Sequence, residues 1–137
     1  MMNIKRMICC AFLAAMCTSS FAQDQEEWKL IWSDEFNING RPDSTVWNYE
    51  IGFQRNHEDQ WYQPANAYCK GGCLVIEAKK EKKERKNPGY DKNSQRWPQN
   101  VENIRYTSAL LNTAQKKEFL YGRVEEKEKI PTASGAW

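Results

Sequence analysis

The sequence predicts an all-β fold built from antiparallel strands. Short runs of aromatic and aliphatic residues recur along the chain, and clusters of turn-forming residues separate them. No segment keeps the apolar period of about 3.6 residues that an amphipathic helix needs. Six Trp and six Tyr among 137 residues suit the core of a β-sandwich, and we expect most of them to fill it.

Five strands and one hairpin are predicted. In chain order the strands are residues 28–32, 47–51, 60–62, 106–113 and 119–130, and the hairpin spans 68–78 with Lys70-Gly71-Gly72 at its tip. Along residues 123–130, charged side chains alternate onto both faces of the last strand. Such a strand is a poor core strand unless one face lines a wet cleft, so we expect this strand to border a cleft.

Residues 79–105 are rich in Lys, Glu, Asn and Gln and are expected to form a solvated loop between strands. Residues 79–86 contain six basic and two acidic side chains. A basic run can bind nucleic acid. This run has no interleaved aromatic residues and lies between two strands, so we expect no nucleic-acid partner.

Residues 1–22 are expected to be a cleaved signal peptide. Lys5 and Arg6 precede a short apolar run, and Ser20-Phe21-Ala22 offers the small residues at alternate positions that signal peptidase requires. The apolar run is too short for a permanent membrane helix, and no later stretch is apolar enough to form a transmembrane segment. The sequence therefore predicts an exported protein whose mature domain is residues 23–137.

A lipoprotein signal at Cys17 is the alternative, disfavoured because the bulky Met16 precedes the cysteine. Removing Lys5 and Arg6 with the signal leaves 18 basic and 18 acidic residues. The mature charge balance therefore gives no indication of an acidic partner.

Cys69 and Cys73 are the cysteines of the mature domain. With the single histidine, His57, they do not make a plausible zinc site. Export permits a disulfide, and the three-residue tip of the hairpin can place the two cysteines opposite each other, with Cα atoms about 4.5 Å apart. The sequence leaves open whether they form a bridge or remain two thiols.

Several motifs, in their order and spacing, resemble the N-terminal half of glycoside hydrolase family 16 domains, the laminarinase and lichenase group. The matching segments are Trp32-Ser33-Asp34-Glu35-Phe36, Asn56-His57-Glu58-Asp59-Gln60-Trp61-Tyr62, Gly72-Cys73-Leu74-Val75-Ile76-Glu77-Ala78, Tyr106-Thr107-Ser108, Tyr121-Gly122-Arg123-Val124-Glu125, Lys129-Ile130-Pro131 and Gly135-Ala136-Trp137. The resemblance implies a concanavalin A-like jelly roll with a concave cleft for β-glucan. It also implies retaining hydrolysis by two carboxylates.

The catalytic motif of that family, Glu-x-Asp-x-(x)-Glu on one strand, is not found in this sequence. None of the 13 glutamates has an aspartate two positions later. No catalytic residue is therefore assigned, and we expect the chain to be an inactive fragment of a longer β-glucanase. A non-catalytic carbohydrate-binding β-sandwich is the alternative from another functional class.

The resemblance also implies substrate-binding roles. Asn56 matches a residue that hydrogen-bonds a sugar hydroxyl, Glu125 matches one that contacts the same sugars, and Trp137 could form an aromatic wall of the cleft. Glu58 and Gln60 are expected on the same strand face as Asn56. They either bind sugar or form a polar network that joins sheet and loop.

Two departures leave the substrate open between β-1,3-glucan, mixed β-1,3/1,4-glucan and other glycans. Lys127 and Leu110 stand at positions where the family commonly has Arg, and Lys lacks the bidentate geometry of a guanidinium. No cofactor is required by the expected chemistry. Glu35 and Gly72 match positions whose backbone carbonyls help to bind a structural calcium in the family, and the usual aspartate partner has no match here. Calcium is therefore expected in a complete domain only.

Overall fold

The computed structural model describes residues 28–132. This part of the chain is mostly β-structure, which confirms the all-β prediction. The strands are β1 (Asn48–Tyr49), β2 (Gln60–Tyr62), β3 (Ala67–Cys69), β4 (Leu74–Ile76), β5 (Lys79–Lys86), β6 (Asn103–Ser108) and β7 (Leu111–Asn112). A 3₁₀ turn covers Pro64–Asn66, and a four-residue helix, α1, covers Trp97–Asn100. None of the helical segments within residues 28–132 is long and apolar enough to cross a membrane.

The strands of the unit that begins at Trp32 form three small sheets. The three-stranded sheet has the order β2-β6-β5, with β6 antiparallel to β5 and parallel to β2. β1 pairs with β7 and β3 with β4, both antiparallel. The β2–β6 pair makes the sheet mixed. A parallel pair requires a long connection, and the chain between these two strands supplies one.

The β3–β4 hairpin is confirmed, and its register separates the two cysteines, whose pairing the sequence left open. Cys69 lies opposite Leu74, and Lys70 and Cys73 exchange backbone hydrogen bonds of 2.9 and 3.3 Å. The turn itself is Gly71-Gly72, with φ of +60° and +72°, which glycine adopts without a Cβ penalty. Because successive side chains of a strand point to opposite faces, Cys69 and Cys73 diverge. Both are free thiols, Cys69 buried and Cys73 exposed.

The basic segment Lys79–Lys86 is strand β5, whereas the sequence predicted a loop. It pairs with β6, with an irregularity between Lys80 and Arg85. The sheet order places β5 at an edge, and most of its side chains are exposed. Lysines on an edge strand remain solvated and discourage pairing with other chains, so the edge position accommodates a strongly charged strand that pairs with β6.

Two predicted strands are wrong. Residues 28–32 and 119–130 have no strand structure, and Leu120 and Val124 are 86% and 84% exposed. A strand needs a neighbour to hydrogen-bond its backbone groups, and these segments pair with no strand in the part of the chain that the structure describes. The predicted strand over 106–113 is present as two strands, β6 and β7.

A buried polar network lies within the small core. The buried apolar residues are Phe53, Tyr62, Ala67, Cys69, Ile104 and Ala109. The buried Asn66 lies beside these apolar residues. Its side chain donates to the Glu77 carbonyl at 2.8 Å and to Thr107 Oγ1 at 3.0 Å, and it accepts from Gln63 Nε2 at 2.8 Å. Thr107 in turn donates to Glu81 Oε1 at 2.6 Å. The network ties the 3₁₀ turn to β5 and β6.

Candidate functional site

A tight turn before β2 presents Asn56 and His57. Both residues have left-handed backbone conformations, with φ of 56° and 55°, and the Glu58 amide donates to the Arg55 carbonyl at 3.1 Å to close the turn. Asn and His are among the non-glycine residues that adopt this conformation most often, and the short Asn side chain tolerates it in turns. Asn56 therefore lies in a turn, which corrects the prediction that it shares a strand face with Glu58 and Gln60.

The predicted trio of Asn56, Glu58 and Gln60 nevertheless comes together around one carboxylate. Glu58 accepts hydrogen bonds from Tyr62 Oη at 2.7 Å, Gln60 Nε2 at 3.3 Å and Asn56 Nδ2 at 3.5 Å. Gln60 Nε2 also donates to Tyr62 Oη at 2.8 Å. Burial, followed by the hydrogen bond to Glu58, raises the pKa of the Tyr62 phenol, so this hydroxyl remains a neutral donor. These four residues are the polar network of the site.

An aromatic cluster lies beside the turn. The buried Phe53 ring meets the Trp61 ring at 5.4 Å and the Trp97 ring at 5.5 Å, both edge-on. The His57 ring meets Trp97 at 5.1 Å with an interplanar angle of 80°. Edge-to-face contacts of this kind are the favoured geometry for aromatic pairs. Phe53, His57, Trp61 and Trp97 form the aromatic cluster of the site.

Sequence reasoning missed His57 and Trp97. His57 was considered only as a zinc ligand, and Trp97 lies in the segment that was predicted to be a solvated loop. The available signal was the Trp97-Pro98 pair, since Pro is favoured at the first positions of a helix, where the structure has it. A helix in that segment would have indicated an ordered connection.

Glu125, the other predicted sugar contact on a strand, lies elsewhere in the described chain. It is exposed in a segment without regular structure, and it pairs with Arg123 at 2.5 Å. Lys127 is exposed in the same segment, and Leu110 is half-buried between β6 and β7. Trp137 lies outside the described residues. The structure thus assembles the part of the predicted site that is local to β2.

The candidate calcium positions lie close together. A Cβ atom placed on Gly72 would be 3.8 Å from the Glu35 carbonyl oxygen and 3.9 Å from Asn37 Oδ1, so oxygen atoms do converge beside Gly72. Calcium takes about six to eight oxygen ligands. Within residues 28–132 no group of three or more His, Cys, Asp or Glu side chains comes together. This corner fits only part of a calcium shell, and the site remains a prediction for a complete domain.

The fold and the site together define a β-domain in which a carboxylate–amide network lies beside partly exposed aromatic rings. No protein-family model matches the chain. It is 34% identical over 128 residues to a β-glucanase from Rhodothermus marinus, covering 90% of this chain and 38% of the relative.

Solved structures agree with this similarity. The catalytic domain of an endo-1,3-β-glucanase (laminarinase) from Thermotoga petrophila gives a TM-score of 0.55 at 34% identity, over 70% of this chain and 35% of that one. A structure from work on the endo-acting O-glycanases that human gut bacteria express to initiate mucin breakdown gives a TM-score of 0.62 at 36% identity, over 72% of this chain and 35% of that one.

In both sequence and fold, the chain is similar to laminarinases. This confirms the resemblance and the jelly-roll class predicted from the sequence. The chain spans about a third of the length of these relatives.

Proposed function

We propose that the whole protein is an endo-acting β-glucanase that hydrolyses β-1,3- or mixed β-1,3/1,4-glucan. The observation that carries the proposal is the 34% identity, over 90% of this chain, to the Rhodothermus marinus β-glucanase. The superposition on a laminarinase catalytic domain supports it independently of the sequence motifs. We also propose that the protein is exported, on the basis of the signal-like residues 1–22, which lie outside the described residues.

The polar network supplies what a sugar-binding site needs. The Glu58 carboxylate can accept a hydrogen bond from a sugar hydroxyl, and the exposed amide of Asn56 can both donate and accept. Tyr62 and Gln60 hold the carboxylate in place through their own hydrogen bonds. A contact that is oriented before the substrate arrives loses less entropy when binding occurs.

These residues bind and orient substrate but do not account for bond cleavage. Retaining hydrolysis needs two carboxyl groups about 5–5.5 Å apart across the scissile bond, and none of the 13 glutamates begins a Glu-x-Asp-x-(x)-Glu motif. In our proposal, the nucleophile and the acid belong to a part of the whole protein that this sequence does not contain.

Hydrolysis of a mucin-type O-glycan is a second candidate function. It is favoured by the superposition with a TM-score of 0.62 on the structure from the O-glycanase work, which exceeds the 0.55 found for the Thermotoga petrophila laminarinase. Lys127 and Leu110, which stand where the family commonly has Arg, leave the choice between the two substrates open.

The test uses a version of the protein extended through the remainder of the glycosidase domain, incubated with laminarin, mixed-linkage glucan and mucin O-glycans. We expect internal cleavage of laminarin into short oligosaccharides, seen by chromatography. Glu58→Gln should lower kcat/KM by about 10- to 100-fold, since it weakens one charged hydrogen bond. Cleavage of O-glycans alone would favour the O-glycan hydrolase. Binding without any cleavage would favour the non-catalytic carbohydrate-binding β-sandwich.

A further inference from the structure

The loop that joins β5 and β6, residues 87–102, is braced from within. The buried Asn87 donates through Nδ2 to the carbonyls of Pro98 and Val101, each at 2.8 Å. Its backbone amide donates to the Glu102 carbonyl at 2.8 Å, and the Asp91 amide donates to the Gln99 carbonyl at 2.8 Å. The helix α1 that carries Trp97 is therefore held by several hydrogen bonds at its base.

This braced loop brings Trp97 to the turn that carries Asn56. Trp97 is half-exposed and His57 is exposed, and their rings contact each other nearly at right angles, with centroids 5.1 Å apart. The buried Phe53 ring supports Trp97 from beneath at 5.5 Å. Two perpendicular rings, partly open to solvent and one residue away from the polar network, form a corner. His57 and Trp97 form this aromatic corner.

We propose that the aromatic corner holds one sugar ring of the substrate and helps to determine which glycans the protein accepts. A pyranose ring has an apolar C–H face, which packs against an aromatic ring, and a rim of hydroxyls, which need hydrogen-bond partners. Trp97 supplies the apolar face, His57 supplies a ring nitrogen that can donate or accept, and Asn56 and Glu58 supply polar groups alongside. This inference rests on the proposed function and adds a specificity determinant to it.

The backbone of the turn supports a functional rather than a purely structural role. Asn56 and His57 are consecutive residues with positive φ, and glycine would adopt such a conformation at no steric cost. Non-glycine residues held in this region concentrate where a side chain must be presented to a ligand. A packing role alone would need the His57–Trp97 contact but would not need Asn56 beside it.

The experiment measures the binding of laminarihexaose and the cleavage of laminarin by the whole protein, with Trp97→Ala, Trp97→Tyr, His57→Ala and Trp28→Ala compared with the unchanged protein. We expect Trp97→Ala to raise Kd and KM by about tenfold with little change in kcat, as loss of one aromatic contact implies. Trp97→Tyr should recover most of this loss, and His57→Ala should weaken binding less. Trp28, 59% exposed, is the matched control and should change nothing.

Failure of this inference differs from failure of the proposed function. If the unchanged protein cleaves laminarin and Trp97→Ala cleaves it with the same KM, the inference is wrong and the proposed function stands. Trp97→Ala could instead lower both the melting temperature and the affinity, with no recovery of binding in Trp97→Tyr. That result would show that the role of Trp97 is structural, and it would also overturn the inference. If the unchanged protein prefers O-glycans, the KM for O-glycans is compared between the unchanged protein and Trp97→Ala: a KM about tenfold higher supports the inference, and an equal KM overturns it. If it binds neither glycan, both proposals are wrong.

Discussion

Replacing Asn66 by Ala is the sharpest test of the buried polar network that joins the 3₁₀ turn to β5 and β6. Asn66 is 1% exposed and stands at the junction of the 3₁₀ turn with β5 and β6. Its side chain makes three hydrogen bonds, to the Glu77 carbonyl, Thr107 Oγ1 and Gln63 Nε2, at 2.8, 3.0 and 2.8 Å. Alanine can make none of them, and solvent does not reach this position to replace the lost partners, because Asn66 is buried.

The expected loss follows from these contacts. A hydrogen bond contributes a net stabilisation of about 1 kcal/mol, and a buried group left without a partner costs about as much again or more. Gln63 is half-exposed and can turn to solvent, and Thr107 keeps its bond to Glu81. We therefore expect Asn66→Ala to lower the free energy of unfolding by about 3 kcal/mol. In a domain of about 150–250 residues this lowers the melting temperature by about 6–12 °C.

Calorimetry and urea unfolding of the domain-complete protein measure this change. Asn93→Ala, at an exposed loop position, is the control and should stay within about 0.5 kcal/mol of the unchanged protein. Asn66→Asp should destabilise at least as much as Asn66→Ala, because a carboxylate cannot donate to the Glu77 carbonyl. If Asn66→Ala behaves like the control, the network does not hold the turn to the sheet and the reasoning is refuted.

Three further predictions concern the chain itself. Residues 23–137 alone should release no reducing sugar from laminarin or mixed-linkage glucan and should be poorly soluble, because large apolar side chains are exposed; reproducible cleavage would reveal a catalytic pair that the motif search missed. Iodoacetamide followed by mass spectrometry should label Cys73 before Cys69, whose thiol is buried and has its pKa raised by that burial; equal rates would contradict the hairpin register. The secreted protein should begin at Gln23, and retained residues 1–22 or lipid on Cys17 would disprove the signal prediction.

The sequence predictions were accurate where the interacting residues are close together in the chain. The β3–β4 hairpin was predictable because Gly71 and Gly72 tolerate the positive φ of a tight turn and the strands follow directly. Its register was off by one position, which decides on which face each cysteine lies. The candidate site was also predicted only in part. Glu58 and Gln60 were expected as neighbours, and they are, but the turn conformation of Asn56 was not expected.

The sequence by itself determined the fold class, the family resemblance and the grouping of Asn56 and Gln60 with Glu58, since all of these depend on composition, short motifs and neighbours in the chain. The hydrogen bond from Tyr62 to Glu58 was not predicted. Only the tertiary structure decided that a lysine-rich segment is the edge strand β5, that β2 and β6 run parallel, and that Trp97 stands against His57. The residues in that contact are 40 positions apart, and no local pattern specifies such a pair. The contact depends on the hydrogen bonds of Asn87, which fold the loop back on itself, and on the pairing of β5 with β6, which fixes where that loop begins and ends.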